Sequence, residues 1–390
     1  MKQIYPSYYT AFRCIGGACG DNCCIGWEIE IDSKTLAAYR VLPGPLGARI
    51  RDNLAAAGDG TAHFRMKGDR CPMLTEDNLC QIILQKGPGS LCEVCDQHPR
   101  FHNWFGTEKE SGLGLCCEAA ARLILGTPEP LTLLEREIPE PADPEFVPGP
   151  CFAALKRARR AALDLLGDRR QGIDVRLGLL LALGEDLQPA LEAGESGRMD
   201  QITARYESIS HPNKLCGSLC AALDTGRLEQ AAVWKEILDF FAGLLPIDAA
   251  WTARLSELRE DLPALLAKRP AFLRLYPALE EEQERLACYF VYRYFMRAEF
   301  DGDLLAKVRL AAVSCLLVQL LELEVWHRTG ALDFEARSAC ARQYSKELEY
   351  CQENLDALAL ELWTAECFSL RSLLALLTES CRINGPGKPY

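Results

Sequence analysis

The 390-residue sequence has no long hydrophobic run. Its longest uncharged apolar stretch, Leu310 to Leu321, is well short of the roughly 20 residues needed to cross a bilayer. The first residues, MKQIYPSYYTAFRCIGG, contain neither a continuous apolar segment nor the small-residue cleavage site of a secretory signal. We therefore expect a cytoplasmic protein without a transmembrane segment, and peripheral association with a membrane stays open.

Basic charge is also scarce, because 43 lysines and arginines face 55 acidic residues and leave a formal net charge of −12. A nucleic-acid binder concentrates basic residues on one face, so this balance argues against nucleic acid as a partner. Residues 1–127 hold 13 basic and 14 acidic side chains, and the remainder holds 30 and 41. The excess acid in the second part favours solubility, with attraction of a lysine-bearing partner as the alternative.

Several catalytic motifs are missing. The chain has no Gly-x-Ser-x-Gly elbow, no Gly-x4-Gly-Lys-Ser/Thr loop and no glycine-rich turn between a strand and a helix. The segment GLGLCC at 112–117 is the nearest match to such a turn and is a weak one. Serine hydrolase, P-loop and Rossmann-type nucleotide chemistry therefore have no support.

Cysteine, in contrast, is abundant, with 19 residues. Nine of them are scattered from Cys151 to Cys381 among apolar helical residues, where a small buried hydrophobe is the ordinary finding. The other ten lie close together near the start of the chain. Their spacing is Cys14-x4-Cys19-x3-Cys23-Cys24, Cys71-x8-Cys80, Cys92-x2-Cys95 and Cys116-Cys117. Clustered thiols in a reducing compartment indicate a metal rather than disulfides.

Thiolates suit either zinc or an iron–sulfur cluster. Structural zinc usually takes two Cys-x2-Cys knuckles, and this region has one, at Cys92 and Cys95. A four-iron cluster also takes four thiolates, and loops far apart in sequence can supply them, so we favour iron–sulfur, with zinc and inert buried thiols as alternatives. Successive side chains of an extended segment point to opposite faces, so Cys23 and Cys24 could serve different centres.

The chain as a whole is predicted to be mainly α. We expect a small irregular cysteine-rich metal-binding domain over 1–127, a linker over 128–150 that contains seven prolines, and an all-α helical domain over 151–390. The alternation in WEIEID at 27–32 predicts a short strand, with Ser33 as the N-cap of a helix through about Arg40. Four later stretches repeat apolar residues at helical spacing: 151–167, 173–187, 228–245 and 304–326.

Read together, FRCIGGACGDNCCIGWEIEID, CPMLTEDNLCQI, CDQHPR and LCCEAAARLIL resemble the flagellin lysine-N-methylase family, whose N-terminal part belongs to a broader group of zinc- or iron-chelating cysteine domains. The resemblance covers about residues 10–125 and, more weakly, 286–300. The cysteines that match the family pattern are Cys14, Cys19, Cys23, Cys24, Cys71, Cys80, Cys95 and Cys116, and they are accompanied by Trp27, Pro72, Pro99, Arg100 and Glu118.

Three residues depart from the family pattern. Cys92 is additional, Cys117 stands where relatives usually have proline, and His98 stands where an aromatic residue is more usual. Each of the three could replace a ligand or add one, so the four true ligands stay open.

The resemblance implies transfer of a methyl group from S-adenosylmethionine to the ε-amine of surface lysines on flagellin, with a four-iron, four-sulfur (4Fe-4S) cluster required. The Cys-x3-Cys-x2-Cys signature of radical S-adenosylmethionine enzymes is missing, because Gly26 stands where the third thiol belongs. The cofactor pocket is therefore expected in an unfamiliar place, between the cysteine-rich domain and the helices. There an incompletely ligated iron could bind the methionyl group as a Lewis acid.

Amine methylation needs a neutral lysine near the cofactor, and therefore a base or an aromatic slot. Tyr289 and Tyr292 of the segment CYFVYRYF are the catalytic candidates, with helix-core packing as the alternative. Arg100 is the candidate for binding the cofactor carboxylate, or else a carbonyl of a cysteine loop. The rival to the enzyme reading is a non-enzymatic metal-chelating or redox module with a helical adaptor domain, or a purely structural zinc domain.

Overall fold

The protein is mainly α-helical, as predicted, in the computed structural model that describes residues 1–26, 29–57 and 61–377. Two small sheets lie in the first 137 residues, and helices make up most of the rest. Trp27 and Cys381, both named in the sequence analysis, lie outside the described residues.

The larger sheet has four strands in the order β5-β6-β1-β7, and it was not predicted. Its strands are β1 (Lys2–Pro6), β5 (Arg100–Phe105), β6 (Glu108–Leu113) and β7 (Leu133–Glu137). Strand β1 runs parallel to β6 and antiparallel to β7, and β5 and β6 form a hairpin. Gly106 opens the hairpin turn with a φ of +62°, a conformation that glycine adopts without a steric penalty.

The proline-rich segment predicted as a linker contains β7, which is an edge strand of this sheet. An edge position suits such a proline-flanked strand, because proline has no N–H to donate to a neighbouring strand. The domain boundaries themselves stay a prediction.

The smaller sheet has three strands in the order β2-β4-β3 and a core of its own. The strands are β2 (Glu30–Ile31), β3 (Leu54–Ala56) and β4 (Ala62–Phe64), and the helices around them are α1 (Ser33–Val41), α2 (Gly44–Asp52), α3 (Gln81–Lys86) and α4 (Glu93–Gln97). Helix α1 is confirmed, but its predicted cap is wrong by one residue. The carboxylate of Asp32, rather than Ser33, accepts the N–H of Thr35 at 2.8 Å.

The remaining helices surround a long central one. They are α5 (Glu118–Gly126), α6 (Phe152–Leu166), α7 (Ile173–Glu192), α8 (Ser196–Glu207), α9 (Pro212–Ala222), α10 (Gln230–Ala242), α11 (Ala249–Leu275), α12 (Leu279–Tyr294), α13 (Ala298–Asp301), α14 (Leu304–Thr329), α15 (Phe334–Glu349), α16 (Gln352–Thr364) and α17 (Leu370–Leu377). The four helical stretches predicted from periodicity correspond to α6, α7, α10 and α14 and are confirmed.

Helix α14 is long and apolar enough to cross a membrane by length and composition, but almost all of that stretch is buried inside the protein. It packs against α7, α11, α12, α15 and α16. A core helix of this kind passes the same test of length and composition as a membrane span.

One apolar core joins the four-stranded sheet to the helices. Leu113, the last residue of β6, and Leu115, two residues later, belong to the same buried cluster as Leu155 of α6 and Phe290 of α12. A buried ion pair between Glu110 of β6 and Arg159 of α6 adds to this junction. The sheet is therefore packed as part of the helical body, whereas residues 29–92 enclose a separate small core.

Candidate metal centre

Five thiols gather around the small core. They belong to Cys24, Cys71, Cys80, Cys92 and Cys95, and we call them the main thiol group. Cys71 donates its backbone N–H to the carbonyl of Cys24 at 2.9 Å, which brings two loops side by side. Cys92 caps α4, and Cys95 lies in that helix. Loops and one short helix thus collect thiols that are up to 71 positions apart in sequence.

The thiols of the main group affect one another's ionisation. The thiol of Cys95 donates a hydrogen bond to the sulfur of Cys92, which raises the pKa of Cys95 far above that of an ordinary thiol, with burial as the second cause. The same hydrogen bond lowers the pKa of Cys92, and burial raises that of Cys71 to about 11. A metal ion that binds such a group must displace protons, so binding will be stronger at higher pH.

Three further thiols, of Cys19, Cys23 and Cys117, form a second group beside the first. A hydrogen bond from Cys24 lowers the pKa of Cys23, so this pair connects the two groups. Burial raises the pKa of Cys117 to about 11, although its sulfur accepts backbone N–H groups of Ala119 and Ala120 at the start of α5. Cys23 and Cys24 therefore lie towards different groups and still contact each other.

The remaining two thiols that match the family pattern lie apart from the main group. Cys14 is exposed, and its sulfur accepts the N–H of Gly16 at 3.4 Å. Cys116 is buried and hydrogen-bonded to Tyr350, and burial raises its pKa well above the ordinary value. Both cysteines that depart from the family pattern do join a group: Cys92 the main one, and Cys117 the second. Their spacing alone could not show this.

The five sulfur atoms of the main group fit a thiolate-bound metal, because they are soft ligands and lie in one small region. Two of the five cysteines are buried and three are partly buried. Within residues 1–26, 29–57 and 61–377, no set of three or more His, Cys, Asp or Glu side chains is already arranged as a finished coordination site. Loading a metal would therefore require rotation of some of these thiols. His98 belongs to neither group; burial lowers its pKa to about 4, and its ring lies 6.0 Å from that of Tyr350.

The loop that carries the second group is held against the helices by polar contacts. Glu118 of α5 accepts the N–H of Gly20 at 2.8 Å and lies 3.4 Å from Arg342 of α15. Lys346 of α15 lies 2.9 Å from Asp21. Glu118, one of the residues of the family pattern, thus positions the cysteine loop rather than acting within the main thiol group.

The two candidate catalytic tyrosines lie in a buried junction between the sheet and α12. The hydroxyl of Tyr292 lies 2.9 and 3.0 Å from the carbonyl oxygens of Ile4 and Ser111. The hydroxyl of Tyr289 lies 2.9 Å from the carboxylate of Glu349 and accepts the N–H of Leu115. Burial raises the pKa of both hydroxyls well above the ordinary value. Both hydroxyls thus have hydrogen-bond partners within the protein, and a catalytic role for the two tyrosines stays a prediction.

Arg100 begins β5, five residues after Cys95. Its guanidinium donates to the carbonyl of Asp96 at 3.3 Å and lies 5.1 Å from the ring centre of Phe12. This carbonyl belongs to α4, so the contact agrees with the alternative in which Arg100 binds a cysteine loop. Binding of a cofactor carboxylate by Arg100 stays a prediction.

A groove of about 100 Å³ opens where α12, α14 and α16 meet. Its wall includes Tyr294, Arg297, Lys307 and Gln352 and contains no cysteine. Ligand pockets usually have at least about 300 Å³. The groove is therefore too small to hold a whole nucleoside cofactor.

Comparison with known proteins places the helices in a family. A model described as the FliB lysine N-methylase C-terminal domain matches residues 159–376, where the sequence analysis recognised only 286–300. The flagellar biosynthetic protein FliU of Salmonella muenchen is 31% identical over 149 residues, which is 35% of this chain and 86% of that protein.

Two proteins named lysine-N-methylase, from Salmonella typhimurium and Salmonella choleraesuis, are each 29% identical over 259 residues. The match covers 63% of this chain and 63% of each relative, so it spans less than two thirds of their length. No solved structure matches. Because the family model covers more than half of the sequence, the chain belongs to the FliB lysine N-methylase family, a family of protein-lysine N-methyltransferases.

Proposed function

We propose that this protein methylates the ε-amine of surface lysines on flagellin, with S-adenosylmethionine as the methyl donor and an iron–sulfur cluster held by the main thiol group. The observation that carries the proposal is the family match over residues 159–376, joined in one molecule to eight thiols in two neighbouring groups. The name of the FliU relative connects that protein to the flagellum, which supports flagellin as the substrate.

The reaction is a simple displacement. The nitrogen lone pair of a neutral lysine attacks the methyl carbon of the sulfonium, a C–N bond forms as the C–S bond breaks, and the amine then loses a proton to solvent or to a base. The protein has to desolvate the lysine and align it with the methyl group. The seam between the cysteine loops and α15, where Asp21, Glu118, Arg342 and Lys346 lie, is where we place the two reactants.

Three or four of the five thiols of the main group would hold the cluster. With three, the iron left without a thiolate would supply Lewis-acid chemistry toward the methionyl group of the cofactor. Thiolate-bound iron also requires a reducing compartment, and a cytoplasmic location therefore remains part of the proposal.

Anaerobically purified protein tests the cluster directly. We expect a brown protein with iron and sulfide in equal amounts, whereas a colourless protein with stoichiometric zinc would contradict the cluster and support a structural zinc domain. Cys95→Ser and Cys71→Ser should lose most of the iron. Cys14→Ser and the control Cys351→Ser, at the N-cap of α16, should retain it, because neither thiol lies in the main group.

Transfer is tested separately, by incubating the protein with labelled S-adenosylmethionine and purified flagellin. Label on flagellin lysines supports the enzyme, and Cys95→Ser should abolish it while Cys351→Ser leaves it unchanged. Protein that contains iron but transfers no label would instead support the non-enzymatic metal-binding module.

A further inference from the structure

The outer edge of β7 is an open strand edge with strong acidic character. The register with β1 pairs Gln3 with Arg136 and Tyr5 with Leu134. Ser7 donates to Thr132, and Ile138 donates to Met1, so the even-numbered residues of β7 bond to β1. The N–H and C=O groups of Leu133, Glu135 and Glu137 therefore point away from the sheet.

This edge is exposed to solvent. Four of the five residues of β7 are exposed, including Leu134 at 41%, and Leu133 is partly buried. No other strand in the described part of the chain pairs with the outward edge. Unpaired donors and acceptors in a row are a template for one more strand.

Charge gives the edge a preferred occupant. Residues 129–145 carry six acidic side chains and one basic side chain, Arg136. Arg136 is exposed, but its guanidinium lies over the sheet, where it donates to Gln3 at 2.6 Å and lies 5.1 Å from the ring centre of Tyr5. Glu140 is neutralised by Lys109 at 2.8 Å, and Glu135 is partly neutralised by Lys2 at 3.3 Å. The remaining carboxylates leave the edge negative, which suits a segment rich in lysine.

The position of the edge also suits the proposed chemistry. In the register of the sheet, the Leu133 end of β7 lies beside Pro6 of β1, at the end of the sheet where β6 leads into Cys116 and Cys117. A strand added to β7 would lie three strand spacings from β6, about 14 Å. About four extended residues cover that distance, so a chain docked on β7 brings a neighbouring lysine to the thiol-bearing end of the sheet.

We propose that β7 docks an extended, lysine-bearing segment of the protein substrate as a fifth strand of the sheet. The inference rests on the proposed function and adds to it how the substrate is held. Main-chain hydrogen bonds to residues 133, 135 and 137 would supply affinity without demanding a particular sequence, and the carboxylates would select for lysine.

Two variants and a control separate docking from general charge. Glu135→Gln with Glu137→Gln removes two charges but keeps both outward N–H groups. Glu135→Pro removes an outward N–H and keeps the bonds to β1, because proline is tolerated where the N–H faces solvent. The control is Glu260→Gln with Asp261→Asn, two exposed acids on α11.

We expect the double glutamine variant to raise KM for purified flagellin by about three- to tenfold at low salt, with kcat unchanged and with a smaller effect at high salt. Glu135→Pro should raise KM as well, and the control should stay within about twofold of the wild type. In hydrogen exchange of the wild-type protein, peptides spanning 132–138 should gain protection when flagellin monomer is added. This last measurement does not depend on whether the proline variant folds.

Unchanged exchange of these peptides at saturating flagellin, or edge variants that behave like the control, would overturn the docking inference while leaving the methyltransferase proposal intact. If the wild-type protein does not methylate flagellin at all, the proposed function fails, and the docking inference falls with it.

Discussion

At the scale of single residues, Glu349 shows how a charge is kept inside the junction between sheet and helices. Its side chain is completely buried, and it is surrounded by donors from Tyr289, Tyr294, Arg293 and Ser345. A buried carboxylate is tolerated when it is paired and its oxygens accept several hydrogen bonds. Tyr289 and Tyr294 of the segment CYFVYRYF are thus part of a polar network that fixes α12 against α15.

Replacing Tyr292 by phenylalanine should separate a packing role from a catalytic one. Loss of the hydroxyl removes the hydrogen-bond donor that faces the carbonyl oxygens of Ile4 and Ser111. The free energy of unfolding should therefore fall by about 1–2 kcal/mol. The turnover number of the folded variant should stay within about twofold of the wild type. Tyr206→Phe, which loses one bond to Asp186 at the surface, is the control and should cost less. A kcat reduced by about 100-fold at unchanged stability would instead support catalysis by Tyr292.

Glu322 is a buried carboxyl group that the fold holds in its neutral form. One oxygen has no hydrogen-bond partner among the described residues, and burial raises its pKa well above 4.5, with the nearby Glu282 as the second cause and Arg337 opposing both. Below pH 4.5 the folded and unfolded states are both protonated at this position. As the pH rises above 4.5 only the unfolded state ionises, so stability is lost with rising pH.

We therefore expect Glu322→Gln to be more stable than the wild type by about 1–3 kcal/mol at pH 7. The difference should disappear toward pH 4, where the wild-type carboxyl is neutral in both states. Denaturant unfolding at several pH values measures it. Glu324→Gln is the control and should destabilise, because Glu324 pairs with Arg254 at 2.6 Å and with Arg328 at 2.7 Å. A stability gain that is independent of pH would contradict the account.

At the scale of elements, Asp32 connects α1 to α4, the short helix that contains Cys95. One carboxylate oxygen caps α1 by accepting from Thr35, and the other accepts the N–H of Glu93 at 3.0 Å in α4. Helix α4 has only five residues, and Cys92 caps it with no hydrogen bond from its side chain. The position of Cys92 and Cys95 therefore depends on an aspartate 60 positions earlier in the sequence.

Asp32→Ala should lower the free energy of unfolding by about 1–2 kcal/mol, as expected for the loss of a helix cap. It should also speed the release of iron to a chelator, because α4 loses a fixed partner. Asp333→Ala is the matched control, since Asp333 caps only α15, at 2.8 Å from the N–H of Ala336. The control should lose stability by a similar amount with no change in iron release. Equal rates of release from both variants would show that Asp32 does not hold the thiols in place.

The elements that the sequence analysis missed share a physical cause. Strand β1 pairs in parallel with β6, more than 100 residues later, and no local pattern marks such a pairing. The β5–β6 hairpin was within reach, since RFHNWF and EKESGL flank the turn residues Gly106 and Thr107. The cysteines on either side of this hairpin favoured irregular loops instead.

At the scale of the whole molecule, the buried cores do not divide the chain at residue 127. The large core takes in β6, α5 and the helices that follow, whereas the small core is confined to residues 29–92 and is lined by the main thiol group. A core formed within about 60 residues is only marginally stable, and a bound metal would add to its stability. The two cores should therefore respond differently when metal is removed.

Removal of metal by a chelator should unfold the small core and leave the large one folded. Hydrogen exchange should lose protection over residues 29–57 and 61–97, and the protected helices α7, α12 and α14 should remain so. Far-UV circular dichroism should change little, since most helices belong to the large core. Cooperative loss of both cores at once would mean that the small core is not separately stabilised by metal.

The sequence by itself determined the helices and the abundance of thiols. Apolar periodicity is a local pattern that specifies the buried face of a helix, and the number of cysteines can be counted without knowing the fold. It also identified the family, and the comparison over residues 159–376 confirmed it. The tertiary structure alone decided which thiols are neighbours: it joins Cys92 to the main group, leaves Cys14 outside, and turns the proline-rich segment into an open strand edge. Such neighbours are brought together by contacts between residues far apart in the chain, and spacing along the chain does not record those distances.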